Sequence, residues 1–196
     1  MKVLIACEFS GIVRDAFIAR GHDAVSCDLL PTERPGPHIQ GDVLEILDDG
    51  WDMMIAHDPC TYQCNSGVRW LWMKNVYEKK RRNRLRWKLL DESCKFTKKL
   101  LDAPIEKIAR ENPIPHKYAL ERIGRKYDQI IHPWQFGHGE TKATCLTLIN
   151  LPKLKPTNIV EGREARIHKM SPGKDRGKQR SIILQGFADA FASQWG

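Results

Sequence analysis

Three short apolar runs, unbroken by polar alternation, constrain this chain most: "KVLIAC" (Lys2–Cys7), "HDAVSCDL" (residues 22–29) and "WDMMIAH" (residues 51–57). Continuous apolar runs of this length mark strands covered on both faces. Between the first two lies "IVRDAFIARG", which places Ile12, Ala16 and Ala19 on one helical face and offers Gly21 as a stop. Strand, helix, strand at this spacing predicts a βαβ unit and a parallel sheet. "IQGDVLEIL" predicts a short third strand around Asp42, "IEKIAREN" a fifth stopped by Pro113, and "KYDQIIHPWQF" and "ATCLTLIN" two more around "GHGETK". A long helix is expected from about Tyr77 to Leu101, with Leu85, Leu89, Phe96 and Leu100 on one stripe. "LQGFADAFASQW" closes the chain as an amphipathic helix, and the basic segment from Glu161 to Arg180 reads as loop.

The expected organisation is a single α/β domain over residues 1–196, with a basic helical insertion at about 74–102 and a basic loop at about 161–180. A chain of 196 residues is long enough to bury a core of its own. No apolar run approaches the ~20 residues that span a bilayer, so no membrane partner is expected. The N-terminus reads as a first strand and not as a signal peptide. The six cysteines are irregularly spaced, which fits reduced thiols in a cytoplasm better than a disulfide framework. Cys60-x3-Cys64 with His57 resembles half of a zinc site; no second cysteine pair has ligand spacing, so no metal is expected.

Open parallel sheets bind ligands at the carboxyl ends of their strands. The residues that fall there are Glu8–Gly11, Asp28, Asp42, Asp58–Cys60 and Glu111–Asn112. Gly11 lets backbone approach a ligand at a helix N-terminus, or simply makes a tight turn. Asp28 has the place of a carboxylate that accepts from ribose hydroxyls, or is a surface acid opening a loop. Asp42 either accepts from an adenine amino group or caps the next helix. Together, in order, they describe a site for an adenosine-containing cofactor. Cys60, after the rigid Pro59, is either a thiol presented to the cleft or a buried inert cysteine. Glu111 shares that cleft or pairs with Arg110. A thiol with a carboxylate is the pair that methylation of cytosine C5 requires, since C5 becomes nucleophilic only after a thiolate adds to C6 and N3 is hydrogen-bonded or protonated. Asp58 is the awkward member, because an anion beside Cys60 opposes its ionisation.

"FSG", "CDL", "GDV", "PC" and "ENP" stand in this order over Phe9–Pro113. This set resembles the cytosine-5 DNA methyltransferase family, especially its short bacteriophage forms. The resemblance implies a Rossmann-like S-adenosylmethionine-dependent methyltransferase fold, with a mostly parallel sheet and helices on both faces. It implies S-adenosylmethionine held near Phe9, Ser10, Gly11, Asp28, Leu29, Asp42, Val43 and Pro59. It further implies Cys60 as nucleophile and Glu111 as the partner of N3. Thr61 stands where the family often has Gln, and Thr141–Lys142 is the nearest counterpart of its arginine-rich motif. A separate target-recognition domain does not fit within 196 residues.

A net charge of +8 makes polyanions the first partner class. "KKRRNRLRWK" carries seven Lys or Arg in ten residues, interleaved with Trp87. It is read as a helix tracking phosphates through Lys79, Lys80, Arg81, Arg82, Arg84 and Arg86, with Lys142 added, or else as a solvated face. Trp70, Trp72 and Trp134 are candidates for stacking on a flipped base, or for the core. The expected substrate is cytosine in DNA, with RNA or a free nucleotide behind it, in the cytoplasm (the host's, for a phage protein). A homodimer would enlarge the contact area of so small a DNA reader. The competing expectation is a methyltransferase-fold protein with impaired chemistry that binds nucleic acid or regulates a partner.

Overall fold

The computed structural model describes residues 1–74, 80–171, 173 and 176–196. Its main sheet has seven strands: β1 (Lys2–Ala6), β2 (Asp23–Asp28), β3 (His38–Gln40), β4 (Met53–Ala56), β7 (Lys107–Pro113), β8 (Gln129–Ile131) and β9 (Thr144–Ile149). A two-stranded hairpin, β5 (Trp72–Lys74) and β6 (Lys80–Arg82), stands apart. The helices are α1 (Ile12–Ile18), α2 (Arg84–Leu101), α3 (Lys117–Ile123), α4 (Arg166–Lys169), α5 (Arg176–Ser181) and α6 (Gln185–Trp195). The strand order is β3-β2-β1-β4-β7-β9-β8; β9 runs antiparallel to both neighbours, while the β3-to-β7 pairs are parallel. That order, with its one reversed strand, is the Rossmann-like methyltransferase fold.

The continuous apolar runs are explained by cover on both faces. Val3, Ile5, Met53 and Ile55 join Phe17 of α1 and Phe187 and Phe191 of α6 in one core. Their neighbours Leu4, Ala6, Met54 and Ala56 join Trp51, Leu100 and Ile105 in another. Successive strand residues point to opposite faces, so each strand serves both cores. In α6 the rings of Phe191 and Trp195 stack at 4.9 Å and 10°. From β1 the chain moves outward through β2 and β3, then returns to β4 and continues on the other side. The carboxyl ends of β1 and β4 therefore flank a topological switch point, where a crevice opens.

Four sequence expectations need correction. The long helix begins at Arg84, not near Tyr77: the Asn83 side chain accepts from the Arg86 N–H at 3.2 Å and caps it, and residues 80–82 form β6 instead. Residues 77–79 of that expectation lie outside the described residues. Its buried stripe is Trp87, Leu90, Cys94, Thr97 and Leu100, and Leu85 is exposed. Strand three precedes Asp42, because the Asp42 carboxylate accepts from the Leu44 N–H at 3.0 Å and turns the chain into a 3-10 helix at Val43–Glu45. The basic segment 161–180 holds helix α4 and the start of α5, and ties local composition cannot reveal anchor it: Arg166 to Glu140, Lys178 to Glu33 at 2.6 Å, and Lys142 to the Arg180 carbonyl at 3.0 Å.

Phe191→Ala empties a site that is fully enclosed between α6 and the sheet. It should cost about 3–5 kcal/mol of stability, read as a lowered urea midpoint with an unchanged slope.

Candidate functional site

A cavity of about 400 Å³ opens at the carboxyl ends of β1, β2 and β4. Its walls include Cys7, Asp28, Leu29, Asp42, Val43, Pro59, Tyr62, Leu89 and Phe96. Five of the eight residues expected to bind a cofactor thus meet in one place. Its size falls in the ordinary range of small-molecule sites, about 300–1,000 Å³. Three carboxylates, Asp28, Asp42 and Glu92, on an otherwise largely apolar wall suit a flat, polar-edged group such as adenosine. One oxygen of each aspartate is committed to its own turn: Asp28 accepts from Leu30 N–H at 2.9 Å, and Asp42 from Leu44 N–H. Each aspartate keeps a second oxygen. Sequence reasoning missed Tyr62, in the turn just after Cys60, and Leu89 and Phe96, which α2 delivers from far along the chain.

Phe9, Ser10 and Gly11 do not line that cavity; all three are buried beside it. Glu8 explains why. Its carboxylate accepts from the Ser10 hydroxyl at 3.0 Å, from Val13 N–H at 2.8 Å and from Arg14 N–H at 3.3 Å, and so occupies the N-terminus of α1. Gly11 has φ +72°, and a side chain there would strike the Arg14 guanidinium. Arg14 is itself fully buried and binds Ser26, Thr32 and the carbonyls of Arg34 and Pro35, pinning the proline-rich loop.

Asp58 is turned toward Arg110, and its charge is not among the causes that shift Cys60 or Cys64. Its carboxylate takes a two-pronged contact from Arg110, Nε at 2.5 Å and Nη2 at 3.0 Å, and the Thr97 hydroxyl donates to it at 2.5 Å. Gln63 bridges Arg110, Asp58 and Ser93, and Asn112 donates to the Asp58 carbonyl. Alternation along the strands sorts these groups. Arg110 and Asn112 share the face that holds Asp58, and Glu111 faces His57 instead, at 3.3 Å. The expected alternative of a Glu111–Arg110 pair is therefore not formed.

Cys60 and Cys64 stand one turn apart, with the Cys64 N–H donating to the Cys60 carbonyl at 3.1 Å. The Cys60 thiol is pushed up by its hydrogen bond to Cys64, by burial and by the nearby Glu111 charge, against a smaller opposing pull from Lys142. Cys64 is pushed down by the same Cys60 hydrogen bond and, against burial, by the Ser66 hydroxyl and by backbone N–H groups of Ser66 and Gly67. The two shifts run in opposite directions and favour Cys60 as thiol and Cys64 as thiolate. Burial raises Glu111, but the His57 hydrogen bond and the Lys142 charge together outweigh it, and the carboxyl is held below its usual range. Lys142 thus lies beside Cys60 and Glu111 and not with the basic stretch. His57 was read only as a zinc candidate; its position directly after β4, beside Asp58, was the available signal.

The basic stretch forms a separate face. Arg81 and Arg82 lie on β6, and Arg84 and Arg86 in the first turn of α2. Lys79 and the side chain of Lys80 lie outside the described residues. Arg69 covers the Trp70 ring at 4.6 Å, Arg82 the Trp87 ring at 4.5 Å and Arg86 the Tyr62 ring at 4.3 Å. Trp70 is 55% exposed, Trp72 rests edge-on against Trp87, and Trp134 lies elsewhere under Arg163. Two arginines and no acid in the first turn of α2 oppose the helix dipole, a local cost that a bound phosphate would reverse.

Asp58→Ala should leave Arg110 buried without its counter-ion and lower stability by about 3–5 kcal/mol. Asp58→Pro should be destabilised likewise, and should not gain activity. Combining Asp58→Leu with Arg110→Met should recover much of the loss, as read by thermal unfolding; a double variant no better than Asp58→Leu alone would contradict the pairing.

No protein-family model matches the sequence, and no curated protein matches it. Among solved structures, it is similar to a protein provisionally described as a DNA modification methyltransferase encoded within an E. coli prophage, with a TM-score of 0.47 and 12% identity. The similarity covers 87% of this chain and 55% of that one, so this chain spans about half the length of the protein it resembles.

Proposed function

We propose that the chain binds S-adenosylmethionine in the cavity at the ends of β1, β2 and β4 and methylates C5 of cytosine in DNA through Cys60. One observation carries the reading: Pro59 and Tyr62 line the cavity, and Cys60 between them in the chain is close enough to Glu111 and Lys142 to feel both charges. A cavity fit for a cofactor beside a thiol–carboxylate pair supports the reading.

In this reading Asp28 accepts from ribose hydroxyls, Asp42 from the adenine amino group, and Leu29, Val43, Pro59 and Phe96 cover the apolar faces of the adenosine. Bound S-adenosylmethionine supplies an electrophilic methyl on a sulfonium. Cys60 ionises by handing its proton toward Cys64, and Lys142 favours the resulting charge. The thiolate adds to C6 and Glu111 holds the N3 edge. Arg81, Arg82, Arg84 and Arg86 hold phosphates, and Trp70 offers an exposed ring for stacking on a base. Phe9, Ser10 and Gly11 support the cavity from behind.

The competing reading, a nucleic-acid-binding protein with this fold and no chemistry, draws on the resting state of the thiol, since Cys60 is held protonated. It no longer draws on Asp58, which is turned toward Arg110.

Calorimetry with S-adenosylmethionine and tritiated methyl transfer to DNA, RNA and free cytidine nucleotides separate the two. Cys60→Ala should bind cofactor as the wild type does and transfer no methyl, and 5-fluorocytosine DNA should trap an adduct mapping to Cys60. Cofactor binding without transfer on any substrate favours the competing reading, and full activity in Cys60→Ala refutes the covalent route. Replacing Arg82 and Arg86 by Ala should lower the slope of log affinity against log salt by about one per lost phosphate contact.

A further inference from the structure

We propose that His57 is the proton reservoir on which Glu111 draws when N3 of the target cytosine takes up a proton, an inference that rests on the cytosine-methylation reading above.

The motive is a mismatch of resting states. Adding a thiolate to C6 pushes electrons onto N3, which needs a proton, yet Glu111 is held as a carboxylate, which can only accept. The proton must reach Glu111 from a neighbour. His57 is that neighbour: its Nδ1 lies 3.3 Å from Glu111 Oε2, and its side chain is 9% exposed. Its other nitrogen, Nε2, is buried and has no hydrogen-bond partner among the described residues. Buried polar atoms rarely stay unpaired, so an orphan at the edge of this site points to a group that arrives with the substrate. Asn112 Oδ1, at the same end of the sheet, is likewise buried and unpaired among the described residues, while the Thr144 hydroxyl stands by Glu111 and helps hold it as a carboxylate.

The charges around the pair are few. Lys142 approaches Glu111 from the segment before β9, Cys60 stands on the loop after β4, and Asp58 is neutralised by Arg110 on the opposite face. His57 Nδ1 is the side-chain nitrogen in direct contact with Glu111, while Lys142 acts on Glu111 through its charge.

The step balances. The Cys60 Sγ–C6 bond forms, the C5=C6 pair shifts to C4=C5, and the C4=N3 pair moves onto N3. N3 takes a proton from Glu111, which takes one from His57 Nδ1. His57 is left neutral with its proton on Nε2, available to an acceptor on the base. When C5 takes the methyl, C4=N3 re-forms and the N3 proton returns by the same path. Loss of the C5 proton to water then expels Cys60.

His57 acts through Glu111, so it is a positioning residue, and the test must show that dependence. Single-turnover methyl transfer is followed against pH in wild type, His57→Gln, Glu111→Gln and the double variant. The wild-type rate should fall as pH rises and the pair loses its proton. His57→Gln should be about 100-fold slower, with that fall moved to lower pH. In the Glu111→Gln background, replacing His57 should change nothing further. An unmoved limb in His57→Gln, or effects that multiply in the double variant, overturns the proposal. Nitrogen NMR on the cofactor-free protein supplies a readout without turnover: the His57 Nδ1 resonance should move in Glu111→Gln at fixed pH, and an unmoved resonance overturns the pairing. Wild type that transfers no methyl overturns the cytosine reading and this role with it, while the Nδ1 resonance still reports the pair.

Discussion

The ion pair between Asp58 and Arg110 sets the positions of everything at the carboxyl edge of the sheet. Both side chains are buried, and the contacts tie four pieces of chain together: the end of β4, the middle of β7, helix α2 through Thr97, and the turn after Cys60 through Gln63. A buried ion pair is weak evidence for stability, because desolvation offsets much of its attraction. Its contribution here is register. With Asp58 committed to one face, the residue before it faces the other, and so does Glu111 between Arg110 and Asn112. The meeting of His57 with Glu111 is therefore a consequence of where Asp58 points. The carboxylate that looked like a threat to the thiol positions the groups around it.

The order of strands and the carboxylates at their ends were legible in the sequence because local rules govern them. Apolar runs covered on two faces look alike wherever they occur, and a strand's end is where its run stops. Asp28, Asp42 and Pro59 were found in that way, Leu29 and Val43 came with the family resemblance, and all five meet in one cavity. What was not legible depends on side chains arriving from a distance. Phe96 and Leu89 reach the cavity only because α2 crosses over it. Leu85 was placed on the buried stripe, yet it stands exposed in the first turn of α2, whose start depends on Asn83 acting as a cap. The buried Arg14 and Arg110 gave a usable sign, since a lone cation inside an apolar element needs a partner, but the sign does not name that partner.

The loop Phe9–Gly11 marks a different limit. Its spacing after β1 suggested direct contact with a cofactor, and the helix N-terminus beyond it suggested an anion site. Glu8 already satisfies that helix end, so the attraction of a helix terminus for anions is spent within the protein. A sequence shows which groups can bind a ligand and seldom which are already engaged.

The resting charges of the proposed site have a common logic. Cys60 is held as a thiol and Glu111 as a carboxylate, each the reverse of what the proposed addition to a cytosine needs. Each also has a resident partner: Cys64 is pushed toward thiolate, and His57 is in hydrogen-bond reach of Glu111. In the proposed reaction, moving one proton from Cys60 to Cys64 and another from His57 to Glu111 would arm the site without changing its total charge and without exchange with solvent. In a buried site that is the less costly route, because a net change of charge in low dielectric is what burial opposes most strongly. The same logic explains why neither thiol nor carboxylate could be judged alone from the sequence: the chemistry belongs to the pairs, and the pairs exist only once β4, β7 and the Cys60–Cys64 turn are side by side.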